Sequence, residues 1–262
     1  ASDVYKRQAL RDEEPRPHSA DIFHVHWLND IIRREPQEAS EALEWLKQYI
    51  REAKKSGATI AWTVHNIFSH ESKNRELERA AYEFLSEQCD RCHMHDALVV
   101  YEFHDYYKFL PWGRIRIAEH GAYPRVQGEL SSAVSTELGL SKGDKYIVIP
   151  GQLRRYKNIP LLSSAIEYLR ITYPSYLVCL LGQPHPELSL DEIQLVTSQV
   201  NLVHSTSRLS DDDYARLVRD SCFALLTYTN ISTSGSAIHA FSQGTRVVAP
   251  RLGTLQSYIT SP

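Results

Sequence analysis

Residues 145–158 read KYIVIPGQLRRYKN, a short apolar run that ends in Pro-Gly and opens into a polar loop with three cations. The run predicts a buried strand, and Gly151 predicts the turn that ends it. Residues 159–172 have helical spacing, so strand, loop and helix follow one another as in a βαβ unit. In a parallel sheet such a loop lies at the carboxyl edge, where open α/β folds bind ligands. Arg154 and Lys157 can bracket a diphosphate there, although a solvated basic loop is the alternative.

The same alternation of short apolar runs with helix-length segments extends to both sides of this loop, which predicts an α/β fold with parallel sheets. Strands are expected at 22–27, 59–65, 97–103, 114–118, 145–150, 176–181, 222–228 and 246–249. Helices are expected at 39–55, 76–89, 159–172, 187–199, 211–220 and 235–243. Residues 121–143 lose the alternation and are interpreted as a connector. We therefore expect two Rossmann-like domains, at 9–122 and 144–262, joined by a linker at 123–143.

The composition bears on three properties of the protein, namely nucleic-acid binding, disulfide bonds and membrane spans. The 29 Lys and Arg against 32 Asp and Glu give a net charge of −3 without a basic stripe, so no nucleic-acid partner is expected. The four cysteines form no disulfide framework, and no run is long and apolar enough for a membrane span. We expect a cytoplasmic protein. If it associates with a membrane, we expect peripheral contact with the inner membrane face.

Both ends of the chain look unusual. Residues 1–8 resemble translated sequencing adaptor and are not expected to belong to the fold. At the other end the chain stops soon after Gly253, with no closing helix expected over the last strand. We expect a truncated protein whose N-terminal domain lacks its first strand.

A second candidate site lies at 233–236, where Thr-Ser-Gly-Ser opens the predicted helix 235–243. Ser and Thr at a helix start are ordinarily caps. The free N–H groups at such a start also form an anion site, and Gly235 would let a phosphate approach the backbone. The two roles are compatible.

These motifs occur in a recognisable order. The loop at 151–158 is followed by 233–236 and by AFSQGTRVVAPRLG at 240–253, and it is preceded by HVHW at 24–27, WTVHN at 62–66 and EHG at 119–121. Their order and spacing resemble the GT-B glycosyltransferases of the large retaining group, family four. The resemblance covers roughly residues 21–253.

The resemblance implies a role for each matching residue. The donor diphosphate would be bound by Arg154, Lys157, Ser234, Gly235 and Ser236. The donor nucleotide or sugar pocket would be formed by Gly151, Gly182, Thr233, His239 and Gly253. His65 would be the catalytic residue that faces the donor sugar, and the acceptor side would carry His26, Asn66, His70, Glu71 and His120.

The resemblance also implies a reaction. A sugar would pass from a nucleotide diphosphate sugar to a glycan or lipid-linked acceptor with retention, in bacterial polysaccharide or glycoconjugate synthesis. Cations and helix-end N–H groups stabilise the charge on a leaving phosphate, so no cofactor or metal is expected. Many relatives carry a glutamate pair that contacts donor sugar and ribose, whereas this chain has Ile231 near the first position and His239 at the second.

Two other classes of protein compete with this interpretation. The missing glutamates favour a non-catalytic binding protein, either a degenerate transferase subunit that retains nucleotide-sugar binding or a two-lobed ligand binder. The enzyme is favoured by Arg154, Lys157, His65 and the Ser-Gly helix start. A sugar-nucleotide epimerase on the same scaffold would need acid and base carboxylates in the cleft, and none is well placed.

Other signals have simpler explanations. Residues 89–93 read CDRCH, which fits haem attachment or a zinc site, but packing at a helix end is favoured. His24 and His26 alternate along one strand face and are expected to pack or cap. Residues 106–116 combine aromatics with cations and could contact an anionic membrane, with interdomain packing as the alternative.

Overall fold

The computed structural model describes residues 22–28, 31, 34–69, 72, 74–107, 110–199, 202–204 and 208–258. The chain divides into two compact units, Ala1–Glu119 and His120–Pro262. We call them unit 1 and unit 2.

Unit 1 contains a four-stranded parallel sheet in the order β1-β2-β3-β4. Its elements are β1 (Ile22–Val25), α1 (Pro36–Lys55), β2 (Thr59–Thr63), α2 (Arg75–Gln88), β3 (Arg91–Met94), α3 (Ala97–Tyr106) and β4 (Ile115–Ile117). The helices form where apolar residues recur every three or four positions, as Leu43, Leu46 and Ile50 do on α1. They bury this face against a core around Trp62 and Phe103.

One strand of unit 1 was predicted in the wrong place. Residues 97–103 form a helix, α3, because the Asp96 side chain accepts from Leu98 N at 2.7 Å and caps its start. Val99, Val100 and Phe103 then share one buried helical face. A continuous apolar run fits a strand or a buried helix equally well, and the length of seven residues misled the prediction. The strand is β3 instead, which begins inside the CDRCH segment and ends at Met94.

Unit 2 contains a five-stranded parallel sheet in the order β7-β6-β5-β8-β9. Its strands are β5 (Lys145–Ile149), β6 (Tyr176–Leu180), β7 (Leu202–His204), β8 (Ala224–Leu225) and β9 (Val247–Val248). Its helices are α4 (Ser132–Leu138), α5 (Ile159–Thr172), α6 (Leu190–Thr197), α7 (Asp211–Asp220), α8 (Gly235–Gln243) and α9 (Leu255–Tyr258). The predictions for α5, α7 and α8 are confirmed to the residue, whereas β7 was missed because it is only three residues long.

The segment interpreted as a connector is more ordered than predicted. It carries α4, whose cap residue Ser131 donates through both its backbone N and its Oγ to the Asp213 carboxylate at 3.1 Å. Val126 N donates to Gln243 Oε1 at 3.1 Å. These contacts attach the segment to α7 and α8. A short helix, α9, follows the last strand.

A search of the described residues finds no helix with the length and hydropathy that crossing a bilayer requires.

Candidate functional site

Two glycines pack backbone against backbone at the carboxyl ends of β5 and β6. Gly151 has a φ of +79°, in the left-handed region that favours glycine, and a Cβ built there would lie 2.9 Å from Ser236 Oγ. A Cβ at Gly182 would overlap the backbone of Gly151 and Gln152. A side chain at Gly182 would therefore push the two strand ends apart.

The Lys157 side chain is buried under this turn. Its Nζ donates to Pro150 O and Gly151 O, both at 2.7 Å, and the residue is only 2% exposed. Burial, reinforced by the nearby positive charge of Arg154, lowers the pKa of Lys157 to about 7. An ammonium has three N–H donors, so one remains beyond the two carbonyls. Two cations, Arg154 and Lys157, thus lie close together at the carboxyl edge of the sheet. A bound anion would offset the repulsion between them.

The two arginines of the loop are engaged differently. Arg155 forms a two-pronged ion pair with Glu192 of α6, with both N–O distances at 3.0 Å. Arg154 donates from Nε and Nη2 to Gln152 Oε1, at 3.1 and 2.9 Å, and its charge reaches Lys157. Arg154, the arginine chosen from sequence, is therefore the one beside the lysine, while Arg155 is held by α6.

The start of α8 combines a cap with a neighbouring polar cluster. Ser234 is the N-cap, because its Oγ accepts from Ala237 N at 3.1 Å and lies 2.9 Å from Tyr228 Oη. The capping interpretation of Ser234 is therefore correct.

The next residues of this helix start face the glycine turn. Ser236 Oγ lies beside Gly151, and burial raises the pKa of the Tyr214 phenol. Gly235 is close to Tyr123 Oη, which would be 3.3 Å from a Cβ built on it. Thr233 Oγ1 is buried without a hydrogen-bond partner among the described residues. An N-terminus of this kind is suited to an anion, because its first N–H groups and its dipole favour negative charge.

His239 lies one turn into α8 between two tyrosines. Its ring is parallel to that of Tyr214, with centroids 5.2 Å apart and 3° between planes, and it lies 4.8 Å from Tyr123. Burial lowers the pKa of His239. His239 is therefore a largely neutral ring in an aromatic stack.

A cleft of about 200 Å³ adjoins this stack, and sequence reasoning missed it. Its polar and aromatic lining is formed by Gln183, Arg208, Asp211 and Tyr214, beside Gly182. The volume is below that of a pocket for a complete drug-sized ligand and suits part of one. The sequence does not indicate this cleft, because the order of the strands places α7 next to the loop after β6, and that order cannot be read from the sequence.

Gly253 lies against the loop that precedes α8. A Cβ there would overlap the carbonyl oxygens of Ile231 and Ser232, and Thr254 N donates to Ser232 O at 2.8 Å. Gly253 thus supports the loop that leads to Thr233 and does not line the cleft.

A cluster of histidine side chains lies at the carboxyl ends of the strands of unit 1. His26 Nδ1 lies 3.1 Å from His65 Nε2, and His65 Nδ1 lies 3.4 Å from His95 Nε2. His24 is joined to Thr63 Oγ1 at 2.8 Å and stacks 4.0 Å from His26. The structure therefore brings His26 and His65 together. His95 was not predicted, because its strand was misplaced.

A small cavity adjoins the cluster. It has a volume of about 20 Å³ and is lined in part by His26, Trp27, His65 and Asn66. That volume holds about one water molecule and is too small for a sugar ring.

The remaining acceptor-side residues are scattered. Asn66 contributes its carbonyl oxygen, which accepts from Tyr82 Oη at 3.0 Å. His70 and Glu71 lie outside the described residues. His120 belongs to unit 2, where its Nδ1 is 2.8 Å from Gly121 O and its ring is 5.7 Å from that of Tyr123.

In the CDRCH segment, Cys89 packs at the end of α2, whereas Arg91, Cys92 and His93 belong to β3. Cys89 and Cys92 are fully buried, and burial raises the pKa of Cys89 to about 11. Over the described part of the chain, no three His, Cys, Asp or Glu side chains are arranged to hold a metal ion.

Comparison with known proteins gives likenesses of structure alone. No family model matches the sequence, and no curated protein does. Sucrose-phosphate synthase from Thermosynechococcus elongatus aligns with 98% of this chain at 14% identity and a TM-score of 0.66. The Anabaena protein HepE in complex with UDP-glucose aligns with 92% at 13% identity and a TM-score of 0.66. An α,α-trehalose-phosphate synthase (UDP-forming) from Burkholderia xenovorans aligns with 92% at 13% identity and a TM-score of 0.63.

The chain spans 61%, 62% and 61% of the length of these three structures, respectively. The alignments cover 92–98% of this chain and so run through both units. The chain therefore has the GT-B fold, an α/β architecture with two Rossmann-like domains.

Proposed function

We propose that this chain binds a nucleoside diphosphate sugar at the glycine turn of unit 2 and transfers the sugar to a glycan or lipid-linked acceptor. Solved structures of the same fold are described as bound to UDP-glucose or as UDP-forming synthases. We further propose that the sugar is a hexose, that transfer proceeds with retention, and that it serves bacterial polysaccharide or glycoconjugate synthesis.

The observation that carries this proposal is the pair of cations Arg154 and Lys157 in the loop of the glycine turn, where Gly151 adjoins both Lys157 Nζ and Ser236 of α8. The lowered pKa of Lys157 reports repulsion from Arg154 as well as burial, so a dianionic diphosphate would stabilise both groups. The N–H groups of α8 and the Thr233 hydroxyl supply further donors. These groups stabilise a leaving phosphate directly, and we propose that transfer needs no metal.

The donor proposal is tested by calorimetry on the full chain with UDP, GDP and ADP. Arg154→Ala should weaken binding of the preferred nucleotide by about tenfold or more, because a hydrogen bond to a charged group contributes about 1.5–3 kcal/mol. Arg155→Ala is the matched control, since that arginine is paired with Glu192. Absence of binding by all three nucleotides, or equal effects of the two variants, would contradict the proposal.

A non-catalytic nucleotide-sugar-binding subunit is the second candidate, and His239 favours it. A neutral imidazole between Tyr123 and Tyr214 cannot reproduce the hydrogen bonds of the glutamate that many relatives carry there. Incubation with radiolabelled UDP-glucose and extracted glycolipid acceptors separates the two candidates. Binding with labelled product indicates the enzyme, whereas binding without product indicates the subunit.

The acceptor side is proposed to lie on unit 1, at the carboxyl ends of β1 and β2. His65, Asn66 and His26 are the described residues there that the resemblance marks, and Trp27 stacks on His65 while remaining 54% exposed. An exposed indole of this kind is a flat surface on which a sugar ring can stack.

We also propose that the protein is cytoplasmic and that residues 106–116 contact the inner membrane face. In the described part of this segment, Tyr106 and Trp112 are exposed, and Arg114 and Arg116 add positive charge. Co-sedimentation with vesicles containing phosphatidylglycerol should exceed that with phosphatidylcholine alone, and Trp112→Ala should reduce it. Tyr168→Ala, an exposed aromatic of unit 2, is the control. Equal sedimentation with both vesicles would contradict the proposal.

A further inference from the structure

The phenol of Tyr123 lies beside the start of α8. A Cβ built on Gly235, the first residue of this helix, would be 3.3 Å from Tyr123 Oη. The Cα–Cβ bonds of a helix tilt towards its N-terminus, so the hydroxyl lies on the side towards which the first N–H groups point. The cap residue Ser234 accepts from Ala237 N, which leaves the N–H groups of Gly235 and Ser236 for a ligand. The Tyr123 hydroxyl is therefore next to the groups to which the diphosphate is proposed to bind.

Tyr123 is held in place by the later turns of the same helix. Its backbone N donates to Ser242 Oγ at 2.9 Å, and the carbonyl oxygen of Pro124 accepts from Gln243 Nε2 at 2.8 Å. Its ring lies 4.8 Å from that of His239, in the middle of the helix. The backbone and the ring of Tyr123 are thus both fixed. Because the phenol oxygen is attached rigidly to the ring, these contacts also determine where Oη lies.

Gly235 leaves the space that this hydroxyl occupies. Its φ is not positive, so the backbone does not require a glycine there, and alanine is the better helix former. A Cβ 3.3 Å from Tyr123 Oη would be closer than most contacts of real Cβ atoms, so an alanine would press on the phenol. The glycine at the first position of α8 and the tyrosine therefore fit together.

We propose that Tyr123 is a further binding residue for the nucleoside diphosphate, and that its hydroxyl donates a hydrogen bond to a diphosphate oxygen at the start of α8. This inference rests on the proposed donor site of unit 2 and adds a neutral donor to the cations Arg154 and Lys157. A phenol donates one hydrogen bond, and such a bond is strongest when the acceptor is charged. Because Tyr123 is 39% exposed, a ligand can reach its hydroxyl from solvent.

Calorimetry on the full chain with UDP, GDP and ADP tests the contact with the variant Tyr123→Phe. This variant keeps the ring beside His239 and the backbone bond to Ser242, and it removes only the phenol oxygen. We expect it to weaken binding of the preferred nucleotide by about tenfold, the effect of losing a hydrogen bond to a charged acceptor. Tyr168→Phe, which removes the hydroxyl of an exposed tyrosine on α5, is the matched control and should leave the affinity unchanged.

The outcomes separate this inference from the donor proposal. If the parent chain binds a nucleotide and Tyr123→Phe binds it equally well, the contact is absent although the donor site stands. If the parent chain binds none of the three nucleotides, the donor proposal and this inference both fail. A loss of affinity supports the contact when the midpoint of urea unfolding is unchanged. A lowered midpoint would attribute the loss to the fold and overturn the assignment.

The glucose derivative of the preferred nucleotide shows which part of the ligand Tyr123 contacts. The diphosphate is common to the nucleotide and to this derivative, so Tyr123→Phe should weaken the binding of both by the same factor. A loss confined to the glucose derivative would place the hydroxyl on the sugar and overturn the assignment to the diphosphate.

Discussion

Lys157 carries the greatest electrostatic cost of the described residues around the glycine turn. Its ammonium is removed from water and lies near Arg154, and two backbone carbonyls offset only part of that cost. A protein retains such an arrangement at sites where an anion completes the charge balance. With a pKa of about 7, Lys157 changes its charge close to neutral pH.

Nucleotide binding should take up protons at alkaline pH. At pH 8 most Lys157 side chains are neutral, and a diphosphate beside Nζ raises the pKa towards its usual value, so binding should draw up to about one proton. Uptake should fall towards zero well below pH 7, where the lysine is already charged. Calorimetric titrations of UDP in phosphate and in Tris measure the number of protons.

Lys157→Met is the control for this measurement, because it keeps the apolar stem and removes the titrating group. Uptake that is the same in the variant and in the parent chain would show that another group is responsible.

His239 should act in the stack mainly as an aromatic ring. His239→Phe should retain the unfolding free energy, whereas His239→Ala should lower it by about 1 kcal/mol through loss of the contacts with Tyr123 and Tyr214. Urea unfolding of both variants gives the difference. His204→Ala, an exposed histidine of the same unit, is the comparison, and an equal loss in His239→Phe would point to a polar role.

The contact between Gly151 and Gly182 joins the ends of two elements, β5 and β6. Gly182→Ala should lower the unfolding free energy by about 1–3 kcal/mol, because its Cβ overlaps the Gly151 carbonyl group and the strand ends must separate. UDP binding should weaken with it. Gly121→Ala is the control, since a Cβ there meets no atom within 4 Å.

Thermal unfolding and calorimetry measure both effects. Gly182→Ala with the stability and affinity of the parent chain would show that the strand ends adapt without strain.

Elements could be predicted where local signals agreed. The helices α5, α7 and α8 each have a cap residue, an apolar face and a clear stop, so their limits follow from sequence alone. The helix α3 failed because its apolar run lacks a polar face over most of its length. The strand β3 failed because RCHM contains a cation and a histidine, and its burial alternates only in the folded sheet.

Some residues of the candidate site could likewise be predicted from the sequence, and others could not. Arg154 and Lys157 were found because their spacing in a strand-to-helix loop has a direct chemical meaning. Tyr214 and Asp211 were not found, since their relation to Gly151 and Gly182 depends on how α7 packs beside the sheet. His95 escaped for a similar reason, because its neighbours come from two other strands.

At the scale of the whole molecule, the residues proposed to bind the diphosphate all belong to unit 2. Saturating UDP should therefore slow hydrogen exchange in peptides covering 145–158 and 233–244. At a concentration of about 100 times Kd, the ligand contributes about 2.7 kcal/mol to the stability of the bound state. Mass spectrometry of deuterium uptake measures this protection. Unchanged exchange in both segments at saturating UDP would place the nucleotide elsewhere.

A Cβ added at Gly182 or Gly253 would overlap main-chain atoms, so the cost of a side chain there does not depend on what the protein binds. Arg154 lies in the adjacent loop but is only half-buried, and a change there leaves the main chain in place. In a library of all single substitutions, the two glycines should therefore be depleted already when cells are sorted for the amount of folded protein. Arg154 should be depleted only when they are sorted for activity. Depletion in the sort for folded protein would mark the residues that the fold of this site requires. Depletion only in the sort for activity would mark the residues that act on the ligand.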